Sequence, residues 1–234
     1  MTLHNIERYI FMNIKLFAEA ILKFSLGVIL LGVFIFLPAG TLEYVGGWLL
    51  MGILFIPMFC AGIVMMIFNP DLLKSRLKAK ETQKTQDTVV KLSGLMFILS
   101  FVLSGLDYRF SWIKLPFAIN IVAAVLFIVA YIIYAEVLRE NAYLSRTIEV
   151  REGQKVVSTG LYGIVRHPMY FATVLLFMAM PFVLGSLIGF IPLLAYPFII
   201  AARIKNEEEV LTRELEGYSE YKNKVKYRML PFIW

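Results

Sequence analysis

Two groups of residues carry side chains able to do chemistry. The first is the run Ser158-Thr159-Gly160-Leu161-Tyr162-Gly163-Ile164-Val165-Arg166-His167-Pro168-Met169-Tyr170, a polar loop with two glycines that turns into an apolar segment. Gly160 and Gly163 admit backbone conformations closed to other residues. Pro168 suits the first turn of a helix, where its missing N–H would be unpaired anyway. Arg166 and His167 then sit at a helix N-terminus, where unpaired amides and the positive end of the dipole join one permanent cation and one titratable ring. Such a combination receives a carboxylate or phosphate. A capped membrane helix whose Arg166 meets lipid head groups accounts for the same residues. The second group is Arg203 with the acidic run Glu207-Glu208-Glu209. Arg203 stands four residues before Glu207, on the same face of a helix, and its planar fork can orient a carboxylate. A solvated acidic start to a surface helix is the plainer account of the Glu run.

Composition narrows the setting for these groups. Of the 234 residues, 59% are hydrophobic, and the mean hydropathy is +0.74, far above a soluble domain, so the chain is a multispan membrane protein. The single cysteine, Cys60, excludes an internal disulfide and a cysteine-built zinc site, and the two histidines, His4 and His167, lie far apart. No metal is expected. The net charge of +6 resides in the gaps between apolar runs, where membrane topology already accounts for it, so no nucleic-acid partner is expected either.

The elements that must position the two groups are apolar helices. The pattern predicts an all-α integral membrane fold of about six transmembrane helices, at about residues 16–37, 44–68, 92–106, 115–138, 170–184 and 185–202. A short interfacial helix is expected before the first span, which is retained rather than cleaved. Glu19 and Lys23, four apart within that span, read as a neutralising pair on one helix face. Pro57 implies a kink in the second span, and residues 69–91 read as a solvated basic loop. Asp107, Tyr108, Arg109 and Trp112 mark a membrane interface. Ile148 to Arg151 read as an extended piece. The last two apolar stretches, with Pro181, Gly185, Pro192 and Pro197, read as a tight hairpin of short or kinked helices. Beyond Arg203, Val210, Leu211, Leu215 and Tyr218 recur at helical spacing, so a helix continues out of the last span. The tail's Tyr227, Phe232 and Trp234 serve either as interfacial anchors or as a lid.

Charge asymmetry sets the expected orientation. Twenty of the 23 Lys and Arg fall before residue 16 or in 69–91, 139–169 and 203–234; only Arg109 and Lys114 lie in the alternate loops, and Lys23 lies within a span. The positive-inside rule therefore puts both termini, and both chemical groups, on the cytoplasmic side of the membrane. Residues 139–169 and 203–234 are thus expected to form one cytoplasmic catalytic face.

The string Thr159-Gly160-Leu161-Tyr162 followed by Arg166-His167-Pro168-Met169-Tyr170 resembles the isoprenylcysteine carboxyl methyltransferase family and the wider group containing phospholipid methyltransferases. Arg203, Glu207 to Glu209, Leu211, Gly217, Tyr218, Tyr221, Val225, Tyr227, Arg228, Pro231 and Trp234 are similar to the C-terminal signature of its bacterial members. The resemblance runs from about Glu136 to Trp234 and implies S-adenosylmethionine as cofactor, S-adenosylhomocysteine as product, and a lipophilic acceptor entering from the bilayer. It implies cofactor contacts at Val157, Tyr162, His167, Pro168, Met169, Tyr170 and Glu207, and more loosely at Gln154, Lys155 and Val156. On this reading the helix N-terminus at His167 takes the cofactor carboxylate, and Glu207 or Glu208 takes its ammonium. Tyr162, Tyr170 and Val157 wall the adenosine. Arg203 and Glu207 are the catalytic candidates, and the acceptor is a carboxylate. Three alternatives stay open: a phospholipid or lipid amine N-methyltransferase; an NADPH-dependent reductase of the sterol-reductase type, which shares Arg-His-Pro-x-Tyr; and a non-catalytic membrane protein.

Overall fold

The computed structural model describes residues 3–77, 84–141, 143–144, 150 and 153–234, and among these it is helical throughout, without strands. The first helix, α1 (Leu3–Ala39), is unbroken, so the expected interfacial helix and the first span are one element, whose span-length apolar part is Ile14–Ala39. Helix α2 (Val45–Phe68) carries Pro57 without ending there. Next come α3 (Pro70–Leu77), α4 (Lys84–Phe110) and α5 (Phe117–Glu140). Among the described residues, four helices, α1, α2, α4 and α5, are long and apolar enough to cross a membrane.

The segment 69–91 is not a plain loop. Asn69 accepts the Leu72 amide through Oδ1 at 3.1 Å, and Pro70 takes the first helical position, so the Asn-Pro pair starts α3. Lys23 holds the other end of α3: its Nζ donates to the Leu77 carbonyl at 2.7 Å and pairs with Glu19 at 2.6 Å, as the four-residue spacing predicts.

The C-terminal half departs further from six continuous spans. Helix α6 (Pro168–Val183) has only 16 residues, and the expected sixth span divides into α7 (Phe190–Leu193) and the start of α8 (Tyr196–Glu214). A turn at Gly185, with φ +76°, separates α6 from α7. Small residues let α6 lie close along α5: Ala123, Ala124 and Ala130 flank Phe127 on one side, with Ala172, Leu176, Ala179 and Val183 on the other. Helices α1 and α4 also approach closely, for a Cβ on Gly105 would stand 2.7 Å from the Ile35 carbonyl oxygen.

Polar side chains satisfy the backbone where α6 ends. Asn120 donates to the Val183 carbonyl at 3.0 Å, and the Tyr44 hydroxyl donates to the Leu184 carbonyl at 2.5 Å. Ser186 donates to Asp107 at 2.6 Å, and the other Asp107 oxygen accepts the Ile113 amide at 2.9 Å. Asp107, expected at a solvated interface, is 2% exposed and serves this break instead. The chain then returns beside α4, with Ser100 donating to the Gly189 carbonyl at 2.7 Å and Tyr196 ringed by Phe97 and Phe177. That return brings Arg203 and Glu207 to the end of the bundle where α6 begins.

After α9 (Tyr218–Lys224) the tail folds back over the start of α6. The Arg166 and His167 amides donate to the Tyr227 and Arg228 carbonyls at 2.9 and 2.7 Å. Met229 is buried in a cluster with Tyr170, Leu193, Tyr196, Ile200 and Ile204, while Phe232 and Ile233 point outward. The tail therefore covers the helix start and presents two apolar side chains to its surroundings. The extended piece expected at 148–151 falls almost wholly outside the described residues.

Candidate functional site

A cleft opens where the loop before α6, the middle of α8 and the start of α9 converge. Gln154, Lys155, Val156, Val157, Tyr162, His167, Met169, Tyr170, Arg203 and Glu207 all line it, so ten of the residues singled out in the sequence come together. Pro168 and Glu208 do not line it. Asn141, Tyr143, Leu144, Arg166, Leu211, Leu215, Tyr218 and Tyr221 complete the wall.

Three of these form one polar chain. Arg203 Nε donates to the Tyr170 hydroxyl at 2.9 Å, and that hydroxyl donates to Glu207 Oε2 at 2.5 Å. The spacing Arg203-x-x-x-Glu207 does put both charges on one helix face, but the two engage through Tyr170 from α6. Tyr170, expected as an adenosine wall, is thus a polar link between cation and carboxylate.

Glu208 has a different office from its neighbour. It is 3% exposed and is held by Arg166 Nε at 2.6 Å, Arg228 Nε at 2.9 Å and His167 Nε2 at 3.3 Å. Burial by itself would raise its pKa, yet the contacts from His167, Arg166 and Arg228 outweigh that and hold the carboxyl well below the usual range. Arg166 also donates through Nη1 to the Val225 and Lys226 carbonyls at 2.7 and 2.9 Å. These contacts fasten the tail to the start of α6. Glu208, expected as an alternative ligand for the cofactor ammonium, has its oxygens occupied by three cationic or potentially cationic partners, and an ammonium would have to displace one of them.

The helix N-terminus is engaged in a similar way. The Arg166 and His167 amides go to the tail, Pro168 has none, and the Tyr170 and Phe171 amides both turn back to the His167 carbonyl at 3.1 and 3.3 Å. The dipole still ends here, but most of the amides expected to receive a carboxylate are already bonded.

The glycine loop builds the opposite wall. A 3-10 turn at Gly160–Gly163 starts where the Leu161 amide donates to Glu140 Oε2 at 3.0 Å. Gly160 has φ +50°, which favours glycine, and a Cβ there would push the Glu140 carboxylate away from the Leu161 amide. The turn carries Tyr162 inward; its hydroxyl accepts from Asn141 Nδ2 at 3.0 Å, and its carbonyl accepts from the Tyr221 hydroxyl at 2.7 Å. Burial raises the Tyr162 pKa, partly offset by the Asn141 bond, so the phenol keeps its proton. The Tyr218 hydroxyl is buried with no hydrogen-bond partner among the described residues, and burial followed by the Glu208 and Glu207 charges raises its pKa as well. It remains a donor awaiting an acceptor.

The donor set suits a ligand with a cationic end, a polar end and a flat apolar body. Glu207 faces the cation, Lys155 and the unsatisfied Tyr218 hydroxyl offer donors, and Tyr162, Tyr218, Val156, Val157, Leu211 and Leu215 supply apolar and aromatic surface. These residues fit S-adenosylmethionine. Among the described residues, no group of three His, Cys, Asp or Glu side chains is placed to hold a metal. Leu215 was legible only as part of an apolar helix stripe, and Leu211 and Tyr218 as that stripe and as part of the C-terminal signature, without a role in the cleft. Nothing local distinguishes such a stripe from a pocket wall.

The family model of phospholipid methyltransferases matches residues 118–218, from the first turn of α5 to the first residue of α9. Delta(14)-sterol reductase TM7SF2 of Mus musculus is 26% identical over 91 residues, which are 38% of this chain and only 22% of that protein. The phospholipid methyltransferase match contains Glu140, the glycine loop, Tyr170, Arg203 and Glu207.

Proposed function

We propose that this protein is a membrane methyltransferase that uses S-adenosylmethionine to methylate a carboxylate on a lipophilic acceptor. The observation that carries the reading is the Arg203–Tyr170–Glu207 chain on one wall of an aromatic-lined cleft. When bound, the cofactor supplies an electrophilic methyl on a sulfonium: a carboxylate oxygen forms the new O–C bond as the S–C pair returns to sulfur, giving a methyl ester and neutral S-adenosylhomocysteine. Glu207, aligned by Tyr170, holds the ammonium through a charge-assisted hydrogen bond. Lys155 takes the part first given to the amides at His167 and meets the cofactor's carboxylate. Tyr162, Val156 and Val157 wall the adenosine, and Gln154, His167 and Met169 frame the cleft beside them. Arg203 orients the acceptor carboxylate toward the methyl. Such a carboxylate is ionised near neutral pH and needs no general base, so alignment supplies most of the acceleration, for which effective molarities of about 10⁵ M or more are available. The distribution of Lys and Arg favours a cytoplasmic cleft, where the cofactor is available, and the likeness of the C-terminal residues to bacterial members favours a bacterial inner membrane.

The experiment is methyl transfer from radiolabelled S-adenosylmethionine, by the purified protein, into lipid extracted from the cells that make it. Label that partitions into the organic phase and is released as methanol by mild alkali marks a carboxyl ester. Label that resists alkali marks an amine and shifts the reading to a lipid amine methyltransferase. The stretch shared with the mouse sterol reductase supports a second reading, reduction by NADPH in the same cleft, under which no label is transferred.

A further inference from the structure

A second cavity lies in the N-terminal half, outside the stretch matched by the family model. It is a groove of about 490 Å³ between α1, α2 and α3, walled by Phe17, Ile21, Phe24, Met58, Ile63 and Met66 among others. That volume suits one small ligand. Hydrocarbon from the bilayer would fill any such groove between spanning helices, but this one has a charged end. Arg76 of α3 lines it, and the Nε and Nη2 of its guanidinium are buried with no hydrogen-bond partner among the described residues. Lys23, the other cation lining the groove, is engaged by Glu19 and the Leu77 carbonyl. Buried donors of a charged group are costly to leave unmade, and a guanidinium fork matches the two oxygens of a carboxylate. Arg76 also looks toward the cleft: its guanidinium carbon stands 5.8 Å above the Tyr134 ring of α5, and its charge acts on the Tyr162 phenol in the cleft wall.

We propose that this groove is the docking site of the acceptor ahead of the cleft: a single-chain amphiphile lies with its hydrocarbon between α1 and α2 and its carboxylate gripped by Arg76, on the side facing Tyr162, before that carboxylate passes to Arg203. The proposal rests on the methyl-transfer reading for its meaning, though not for the binding itself. An ammonium head group would meet like charge at Arg76, and a two-chain phospholipid exceeds a groove of this size, so a fatty or isoprenoid carboxylate is the chemistry that complements it.

The test uses the full chain in phosphatidylcholine nanodiscs, with a diazirine-bearing stearic acid as probe, photolysed and mapped by mass spectrometry. The probe should label α1 and α2 peptides around Phe24 and Met58 to Met66, in competition with oleic acid but not with oleylamine. Arg76→Gln should cut this labelling about tenfold or more, consistent with loss of hydrogen bonds to a charged group. Gly62→Trp should block it by filling the groove, since a side chain at Gly62 meets open space. S-adenosylhomocysteine binding should persist in both variants. Labelling indifferent to Arg76→Gln, or competed equally by oleylamine or by dioleoyl phosphatidate, overturns the proposal. Labelling as expected in a protein that binds no S-adenosylhomocysteine leaves the groove assignment standing and removes the methyl-transfer reading instead.

Discussion

The Tyr170 hydroxyl donates to the Glu207 carboxylate at 2.5 Å, joining a residue at the start of α6 to one in the middle of α8 across the cleft. The two lie 37 residues apart in the chain, and the return of α8 beside α4 is what brings them together. Because Tyr170 also accepts from Arg203, this one hydroxyl sets the position of both a cation and an anion in the cleft.

Removing either end of that bond should cost cofactor affinity rather than stability. Glu207→Gln and Tyr170→Phe should each weaken S-adenosylhomocysteine binding, by about tenfold to a hundredfold for Glu207→Gln, which removes the charge itself. Glu209→Gln, at an exposed position of the same run, should bind like the parent. Titration of the three variants checks this, and equal losses in all three would deny Glu207 its special place.

Glu208 should behave in the opposite way. Glu208→Gln leaves Arg166 buried without its carboxylate, and breaking a buried pair typically costs about 3–5 kcal/mol, so melting temperature should drop sharply. The carboxyl's pKa is depressed in the folded protein, so its stabilisation is complete above the ordinary carboxylate value of 4.5 and is lost as pH falls below that toward the folded value. Melting temperature measured from pH 7 down to about pH 3 should show that fall in the parent and a flatter profile in Glu208→Gln. Identical slopes would mean the cluster carries no stability.

Arg203→Lys separates the acceptor classes. If Arg203 orients a carboxylate, a point charge cannot replace its planar grip, and turnover should drop strongly with cofactor affinity little changed. The rate should be nearly flat from about pH 6 to 8, whereas an amine acceptor gives a rate that climbs as its ammonium deprotonates. Full activity in Arg203→Lys with a steep alkaline rise would assign the cleft to a lipid amine.

Topology has its own check. Gly40 and Gly185 lie at the end of the bundle marked by Tyr44 and Asp107, and the cleft lies at the other. Reporter fusions at Gly40 and Gly185 should read as periplasmic, and fusions at Glu152 and after Trp234 as cytoplasmic. A periplasmic signal at Glu152 would remove the cleft from the compartment that holds the cofactor.

The parts of this architecture that follow from local pattern were readable in advance. Long apolar runs gave α1, α2, α4 and α5, Pro168 marked the start of α6, and the four-residue spacings of Glu19 with Lys23 and Arg203 with Glu207 placed each pair on one face. Gly185, Pro192 and Pro197 foretold a broken hairpin, though not that α7 would be a single turn. What could not be read depends on the tail. Whether Glu207 or Glu208 faces the cleft, and whether the amides at His167 are available, is decided by residues 225–228 crossing the start of α6, contacts of some 60 residues' separation with no local signature. The Asn69-Pro70 start of α3 was a readable capping signal, masked by the basic residues around it.

The most direct measurement of the central claim is calorimetric titration of the purified protein, and of Glu207→Gln, with S-adenosylhomocysteine and with NADPH. The account predicts saturable binding of S-adenosylhomocysteine, weakened about tenfold or more in Glu207→Gln, and no heat from NADPH. Binding of NADPH with none of S-adenosylhomocysteine would contradict it and make the cleft a reductase site.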